Sequence, residues 1–238
     1  MEVRINKFLA EAGVASRRQA DKLVESGQVT INGIKAKNAD KVKDGDKVCV
    51  KGKQVFMQDE KHVVAFYKPE GVTCTKQDKF AKVTIDEVFK YPLRLNYAGR
   101  LDRDSKGLLI MTNDGNLIDR MMRARNHHEK EYIVKVNNAV TDDFIHKMSD
   151  GVYLEELEVT TRPCTVTKVG EYTFRIILTQ GLNRQIRRMC ASLGYKVESL
   201  MRVRVMNVEI GNLKPGEYRR ITGEELSELY RLAGGSEE

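Results

Sequence analysis

The chain has 238 residues, and its hydrophobic content of 41% excludes a wholly disordered protein. Its net charge of +7 favours a polyanionic partner such as nucleic acid. The first residues lack the apolar core of a signal peptide, and no apolar run approaches the roughly 18 residues of a membrane span. We therefore expect a cytoplasmic protein with no membrane partner.

The cysteines and histidines do not follow a metal-binding pattern. The four cysteines form no Cys-x-x-Cys pair, and the four histidines form no His-x-x-x-His set. The chain also lacks the glycine-rich Gly-x-Gly loop that would hold a dinucleotide. We expect packing cysteines, no metal site and no cofactor.

Residues 1–60 are predicted to form a small domain of two helices and short strands. Apolar residues recur at helical spacing over 5–12, and Ser16 is a favourable N-cap for a second helix. Alternation after Val29 predicts a strand that ends at Asn32-Gly33, a strong hairpin signal. The polar residues 51–61 are then typical of a linker.

Two arginines stand in the first turn of the predicted second helix. The helix dipole disfavours cations there, so Arg17 and Arg18 are better explained by phosphate contact than by helix stability. The alternative is a solvated helix end. The segment 4–50, with its Ser16-Arg17-Arg18 triplet and Val29 to Gly33, resembles the alpha-L RNA-binding module.

From residue 61 to residue 232 the chain predicts a larger α+β domain. Apolar strand patterns outnumber helical ones and do not alternate regularly with them, which argues against a doubly wound sheet. One predicted helix starts at the capping-box sequence Thr222-Gly223-Glu224-Glu225. We expect residues 233–238 to be a disordered tail.

The segment 98–115, AGRLDRDSKGLLIMTNDG, carries the most informative pattern. Residues 108–111 predict a short buried strand, and Asp102 lies on the loop that enters it. A rigid scaffold can hold a loop carboxylate in a cleft, where it serves chemistry. The alternative is a solvated carboxylate that caps a turn.

Three further segments carry candidate chemistry. They are FYKPEG at 66–71, EKEYIV at 129–134 and GLNRQIRRM at 181–189. Each has a structural explanation: Lys68-Pro69 can end a strand, Tyr132 can be core, and Arg184, Arg187 and Arg188 can form a solvated helix face.

Taken together and in this order, the four segments resemble the pseudouridine synthases. The resemblance runs from about His62 to Leu232 and is specific to the branch that modifies ribosomal RNA, the RsuA, RluB, RluE and RluF group. It implies a catalytic domain with a mixed, mainly antiparallel sheet and flanking helices. It also implies isomerisation of uridine to pseudouridine without a cofactor. NHHEKEYIVKV and QGLNRQIRRMC resemble the large-subunit enzymes, which implies 23S-type ribosomal RNA as substrate.

The resemblance assigns roles to individual residues. Asp102 is the catalytic aspartate, acting as nucleophile or as base. Arg187 pairs with it and keeps it ionised in a dry pocket, while Tyr132 packs on the target base. Arg100 fills the space that the flipped nucleotide leaves, and Lys68 contacts the backbone or shapes the pocket floor. We expect RNA contacts from four arginines: Arg17, Arg18, Arg184 and Arg188.

Other functions fit parts of the pattern. A non-catalytic RNA-binding ribosome-assembly factor would share the small module and the positive charge, but it leaves Asp102, Tyr132 and Arg187 unexplained. An RNA methyltransferase would need a glycine-rich cofactor loop, and a metal-dependent nuclease would need more ligands beside Asp102 and Asp104. The expected partner is large-subunit ribosomal RNA, with a second structured RNA as a further candidate, and we expect a monomer.

Overall fold

The computed structural model describes residues 2–58, 60–75, 83–123 and 127–234. They divide into two compact units. The smaller comprises Met1–His62, Tyr91–Asn96 and Asn113–Gly115, and the larger comprises the rest of the chain. Of the predicted disordered tail, residues 235–238 lie outside the described residues, and residues 233–234 form a turn.

The smaller unit packs two helices and short strands around its own core. Ile5, Leu9, Ala20 and Val29 are fully buried in that core. The helices are α1 (Ile5–Glu11) and α2 (Arg17–Glu25). The strands are β1 (Glu2–Arg4), β2 (Val29–Ile31), β3 (Ile34–Lys35), β4 (Lys41–Lys43), β5 (Val48–Val50) and β6 (Lys53–Gln54), with sheet orders β3-β2-β5-β6 and β1-β4.

The local signals in this unit are confirmed, with one exception. Ser16 is the N-cap of α2, and its side chain accepts a hydrogen bond from the Gln19 backbone N–H. Asn32 and Gly33 have φ of 51° and 82°, which suits the hairpin turn between β2 and β3. The predicted linker over 51–61 is wrong at its start. Residues 51–52 form a second tight turn with positive φ, and β6 pairs with β5. A two-residue strand is too short to show alternation in sequence.

The larger unit is built on a mixed sheet, which confirms the predicted α+β fold. The central strand order is β13-β14-β10-β15-β9-β7-β17, and among its described pairings only β9 with β15 is parallel. The strands are β7 (Val63–Lys68), β8 (Asn96–Ala98), β9 (Lys106–Thr112), β10 (Lys130–Val136), β11 (Tyr153–Leu154), β12 (Val159–Thr160), β13 (Thr165–Gly170), β14 (Thr173–Leu178), β15 (Val197–Val205), β16 (Val208–Glu209) and β17 (Tyr218–Arg220). The helices are α3 (Ile85–Val88), α4 (Gly115–Met122), α5 (Asp142–Asp150), α6 (Gln185–Ser192) and α7 (Gly223–Leu232).

Two hydrophobic clusters stabilise this sheet. One joins β7 and β9 to α4 and α7, with Leu108 and Leu117 at its centre. The other joins β10 and β14 to α5 and α6, with Phe144 and Phe174 in edge-to-face contact. Strand β15 contributes side chains to both clusters, so the parallel junction of β9 and β15 lies between them.

Gly107 permits that junction. It has a φ of 111°, and a Cβ built on it would lie 2.2 Å from the backbone oxygen of Arg202. Real Cβ atoms do not approach an oxygen so closely, so a side chain here would force β9 away from β15. Gly107 therefore allows the backbones of β9 and β15 to pack closely.

The predicted capping box at the last helix is wrong. Thr222 is the N-cap of α7, but its side chain makes no capping hydrogen bond. Glu225 instead accepts two hydrogen bonds from the guanidinium of Arg219, at 2.6 and 2.7 Å. A bidentate bond to a charged arginine is stronger than a bond to a backbone N–H, so the carboxylate turns toward the sheet.

Candidate active site

The loop that carries Asp102 is held by backbone hydrogen bonds. Ser105 N–H donates to the Asp102 carbonyl at 3.1 Å, which closes a turn within the loop. Gly71 N–H donates to the Arg103 carbonyl at 2.7 Å, which ties the loop to the turn after β7. The loop is therefore anchored on both sides before it enters β9.

Lys68 stabilises the turn after β7. Its side chain is fully buried, and Nζ donates to the carbonyls of Pro69 and Val72 at 2.8 and 2.9 Å. Burial lowers the pKa of this ammonium, while nearby carboxylates, Asp102 among them, oppose the shift. Lys68 thus contacts the protein backbone beneath the site and does not line the cavity described next.

A cavity of about 470 Å³ brings five of the predicted site residues together. It lies entirely in the larger unit, between the Asp102 loop, strands β10 and β15, and the start of α6. Apolar side chains such as Leu178 and Leu200 form part of its wall. The predicted residues that line it are Arg100, Asp102, Tyr132, Arg184 and Arg187.

Asp102 is half-exposed at this cavity, with 40% of its side chain accessible. The ion pair that the resemblance implied between Asp102 and Arg187 is absent from the described residues. The cation near Asp102 is Arg184, whose Nη1 lies 3.9 Å from Oδ2. The expectation of a dry pocket is also wrong for the free protein, since water reaches this carboxylate.

Arg187 does not pair with Asp102 because its guanidinium donates to backbone carbonyls instead. Its Nη2 donates to the Asp104 carbonyl at 2.6 Å, and its Nη1 donates to the Val197 carbonyl at 3.3 Å. Its Nε lies 3.3 Å from Oδ2 of Asp104, at an angle that does not make a hydrogen bond. Arg187 therefore joins the loop to the start of β15 and positions Asp102 through the backbone.

Asp104 is the carboxylate that the arginines bind directly. Arg184 donates to its two oxygens at 3.0 and 2.8 Å. These hydrogen bonds, with the charges of Arg187 and Arg184, hold the pKa of Asp104 below its usual range. Arg184 was expected to contact RNA, but in the free protein it braces the Asp102 loop.

Arg188 does not line the cavity that contains Asp102. It pairs with Glu156, and its Nε donates to the Asn183 carbonyl at 3.0 Å. It lines a second cavity of about 620 Å³, together with Tyr153 and Glu155. Arg184 and Arg187 line this second cavity as well, so the three arginines share it, while Arg184 and Arg187 also line the cavity that contains Asp102.

Tyr132 and Arg100 both line the cavity that contains Asp102. Tyr132 is on β10, opposite Arg202 of β15, and is partly buried against the second hydrophobic cluster. Arg100 is exposed and makes no hydrogen bond to another described residue, so its side chain is available to a ligand.

In the smaller unit, Arg17 and Arg18 are both exposed in the first turn of α2. No acidic residue occupies that turn. The start of α2 thus combines two exposed arginines with the positive end of the helix dipole, an arrangement that favours an anion.

The sequence interpretation assigned no role to two cations of the cavity, Lys130 and Arg202. Arg202 alternates with valines along β15, a pattern that suggests a solvent-facing side chain, yet only 3% of the residue is accessible. Its pairing with Gly107 at the parallel junction of β9 and β15, rather than any local pattern, buries it.

Two classes of site are not found among the described residues. No group of three histidine, cysteine, aspartate or glutamate side chains is placed to bind a metal ion. No described helix combines the length and the apolar character needed to cross a membrane.

Comparisons with known proteins agree with this geometry. Residues 62–192 match the RNA pseudouridylate synthase family, and residues 3–48 match the S4 domain. The chain is 43% identical to the dual-specificity RNA pseudouridine synthase RluF of Escherichia coli K12, covering 98% of this chain and 80% of that protein. It is 34% identical to ribosomal small subunit pseudouridine synthase A of Pasteurella multocida, covering 94% and 98%. A crystal structure of a pseudouridylate synthase superposes with a TM-score of 0.70 at 30% identity, covering 95% of this chain and 99% of that one.

Proposed function

The chain belongs to the RNA pseudouridine synthase family, and from this premise we propose that it isomerises uridine in large-subunit, 23S-type ribosomal RNA. Its identity of 43% to RluF, against 34% to a small-subunit synthase, supports the large subunit. One observation carries the catalytic assignment: the cavity places the Asp102 carboxylate and the Tyr132 ring at the same ligand-sized space.

The reaction rearranges bonds within one nucleoside. The bond between N1 of uracil and C1′ of the ribose breaks, and a bond between C5 and C1′ forms. C5 loses its proton and N1 gains one, so atoms and electrons balance without a redox partner. The uridine must leave the RNA stack for these atoms to be reached.

Asp102 is proposed as the catalytic group because it is the carboxylate free to act. Asp104 is committed to Arg184, whereas Asp102 lines the cavity with a cation at 3.9 Å. An ionised carboxylate there can attack the nucleoside or remove a proton from it. A bound base would also displace water from Asp102 and so supply the dry surroundings that the free protein lacks.

The remaining site residues are proposed to bind and position the RNA. The ring of Tyr132 supports the turning base, and the free guanidinium of Arg100 fills the gap in the stack. Arg187 and Lys68 position the loop from beneath. Arg17 and Arg18 contact phosphates. Arg184 and Arg188 bind the RNA next to the target uridine after they release their carboxylate partners, Asp104 and Glu156.

Release of tritium from RNA labelled at C5 of uridine tests this function. Deproteinised large-subunit and small-subunit ribosomal RNA are compared as substrates, and carbodiimide labelling with primer extension maps the product. We expect release from the large-subunit RNA alone. Absence of release from both would support the alternative of a non-catalytic ribosome-assembly factor.

The proposal also concerns where and with what the protein works. An enzyme that modifies ribosomal RNA acts where that RNA is made, so we infer a cytoplasmic location. A second structured RNA is a further candidate substrate, in line with the dual specificity named for RluF. We also propose that the protein acts as a monomer.

A further inference from the structure

Two cations form one wall of the cavity without a partner for their charge. Arg202 and Lys130 both line it, on the neighbouring strands β15 and β10 that also carry Leu200 and Tyr132. The charge of Arg202 acts on Lys130, and burial lowers the pKa of the Lys130 ammonium. Neither side chain forms an ion pair with a described residue. A half-buried lysine whose charge acts on a buried arginine is costly unless a ligand compensates the two charges.

The donors of this wall are largely unused. Nε of Arg202 donates to the Leu108 carbonyl at 2.7 Å, but neither terminal nitrogen bonds to a described residue, and Nη2 is buried. Lys130 Nζ donates one hydrogen bond, to the His128 carbonyl at 3.1 Å. A buried donor without an acceptor is rare in folded proteins. The guanidinium of Arg202 and the ammonium of Lys130 therefore keep N–H groups for which no described residue is the acceptor.

We propose that Arg202 and Lys130 bind the exocyclic carbonyl oxygens of the target uracil and so select uracil over cytosine. The inference rests on the proposed function and adds a base-reading wall to it. Guanidinium and ammonium groups donate hydrogen bonds and accept none. Uracil presents the acceptors O2 and O4, whereas cytosine presents an amino group in place of O4.

A wall that only donates hydrogen bonds can bind the uracil both before and after the base turns. A half-turn of the detached base about the line through N3 and C6 exchanges N1 with C5, and it also exchanges O2 with O4. The wall therefore meets a carbonyl oxygen before and after the turn. The same half-turn of cytosine would replace an acceptor with an amino donor, leaving buried donors face to face.

Tyr132 and the wall act on different parts of the base. Tyr132 lies directly opposite Arg202 in the pairing of β10 with β15, so the two side chains are neighbours on the sheet. The ring can contact the face of the base while the cations contact its edge. The contact of the Tyr132 ring with the face of the base does not depend on which way the base is turned. Discrimination between uracil and cytosine therefore depends on the contacts of Arg202 and Lys130 with the edge of the base.

The test compares large-subunit RNA transcribed with uridine or with 4-thiouridine, whose sulfur is a weaker acceptor than oxygen. Wild-type protein should isomerise the thio transcript about tenfold more slowly. Arg202→Met should slow the uridine reaction and bring the two transcripts within about twofold of each other, because the bond sensitive to sulfur is gone. Arg202→Lys, which keeps a cationic donor, should retain most of the difference.

Arg219→Met is the matched control, since Arg219 is a partly buried arginine of the same unit that pairs with Glu225 outside the cavity. It should keep the wild-type ratio between transcripts. A wild-type ratio in Arg202→Met would overturn the inference and leave Arg202 as a brace for Leu108.

A second measurement needs no variant. Because O2 and O4 take turns at the wall, wild-type protein should be slowed by 2-thiouridine as well as by 4-thiouridine. Full speed on both thio transcripts would overturn the inference even if Arg202→Met does not fold. Lack of turnover of the plain uridine transcript would instead reject the proposed function, and the inference with it.

Discussion

Arg184 binds the carboxylate of Asp104 through two hydrogen bonds, of 3.0 and 2.8 Å. The same guanidinium lies 3.9 Å from the carboxylate of Asp102. One arginine thus fixes Asp104 and faces Asp102, the proposed catalytic group. The orientation of the proposed catalytic group depends on a neighbour two residues away.

Replacing Asp104 tests this dependence. Asp104→Asn removes the charge that anchors Arg184 and Arg187, so the loop should lose its orientation. We expect kcat to fall by about 10- to 100-fold, while the affinity for RNA changes less than threefold. Single-turnover tritium release and filter binding give the two values. Asp143→Asn, on the exposed face of α5, is the control and should change neither. An unchanged kcat in Asp104→Asn would mean that the bonds of Arg184 to the Asp104 carboxylate do not position the loop.

The same carboxylate predicts a pH dependence of stability. The pKa of Asp104 is lowered in the folded protein from its usual value of 3.8, so the ion pairs stabilise the fold wherever the unfolded chain is ionised. The Tm difference between wild type and Asp104→Asn should be constant above about pH 5 and shrink as the pH falls through the lowered pKa. Calorimetry at a series of pH values measures it. A difference that grows on acidification would contradict the assignment.

Much of the fold is predictable because its signals are local. The N-cap at Ser16, the Asn32-Gly33 turn and the apolar run of β9 each depend on residues adjacent in sequence. The mixed α+β architecture follows from the order of such elements. Strand β6 was not predicted from the sequence, because a strand of two residues is too short to show periodicity.

The site was predictable as a set of segments but not as a set of contacts. Asp102 and Asp104 lie two residues apart on a loop, and spacing alone does not say which one meets Arg187. In the structure Arg187 contacts Asp104. Arg202 was missed for a similar reason, since its burial comes from the approach of β9 to β15. The catalytic role of Asp102 itself stays a prediction.

That close approach makes Gly107 a sensitive position. Gly107→Ala would place its Cβ against the Arg202 backbone and should destabilise the larger unit by about 2–4 kcal/mol. Gly216→Ala is the matched control, because Gly216 also has positive φ but nothing within 4 Å of its Cβ position. It should cost about 1 kcal/mol. Urea unfolding followed by circular dichroism measures both. Equal losses would show that backbone strain alone, and not contact with β15, makes the glycine necessary.

The smaller unit should contribute phosphate contacts. Replacing both Arg17 and Arg18 with alanine should weaken RNA binding and lower the slope of log K against log salt by about 1.4–1.8. Titrations at several salt concentrations measure the slope. Arg231→Ala, which removes an exposed arginine already paired with Glu228, should leave it unchanged. A wild-type slope in the double variant would show that α2 does not touch phosphate.

The proposed isomerisation depends on the carboxylate of Asp102, and Asp102→Asn removes that carboxylate. The amide keeps the size of the side chain but can neither attack the nucleoside nor take its proton. The variant is compared with wild type for tritium release from large-subunit RNA and for RNA affinity. We predict no detectable release, with affinity within a few-fold of wild type. Turnover at the wild-type rate would contradict the claim that this carboxylate performs the reaction.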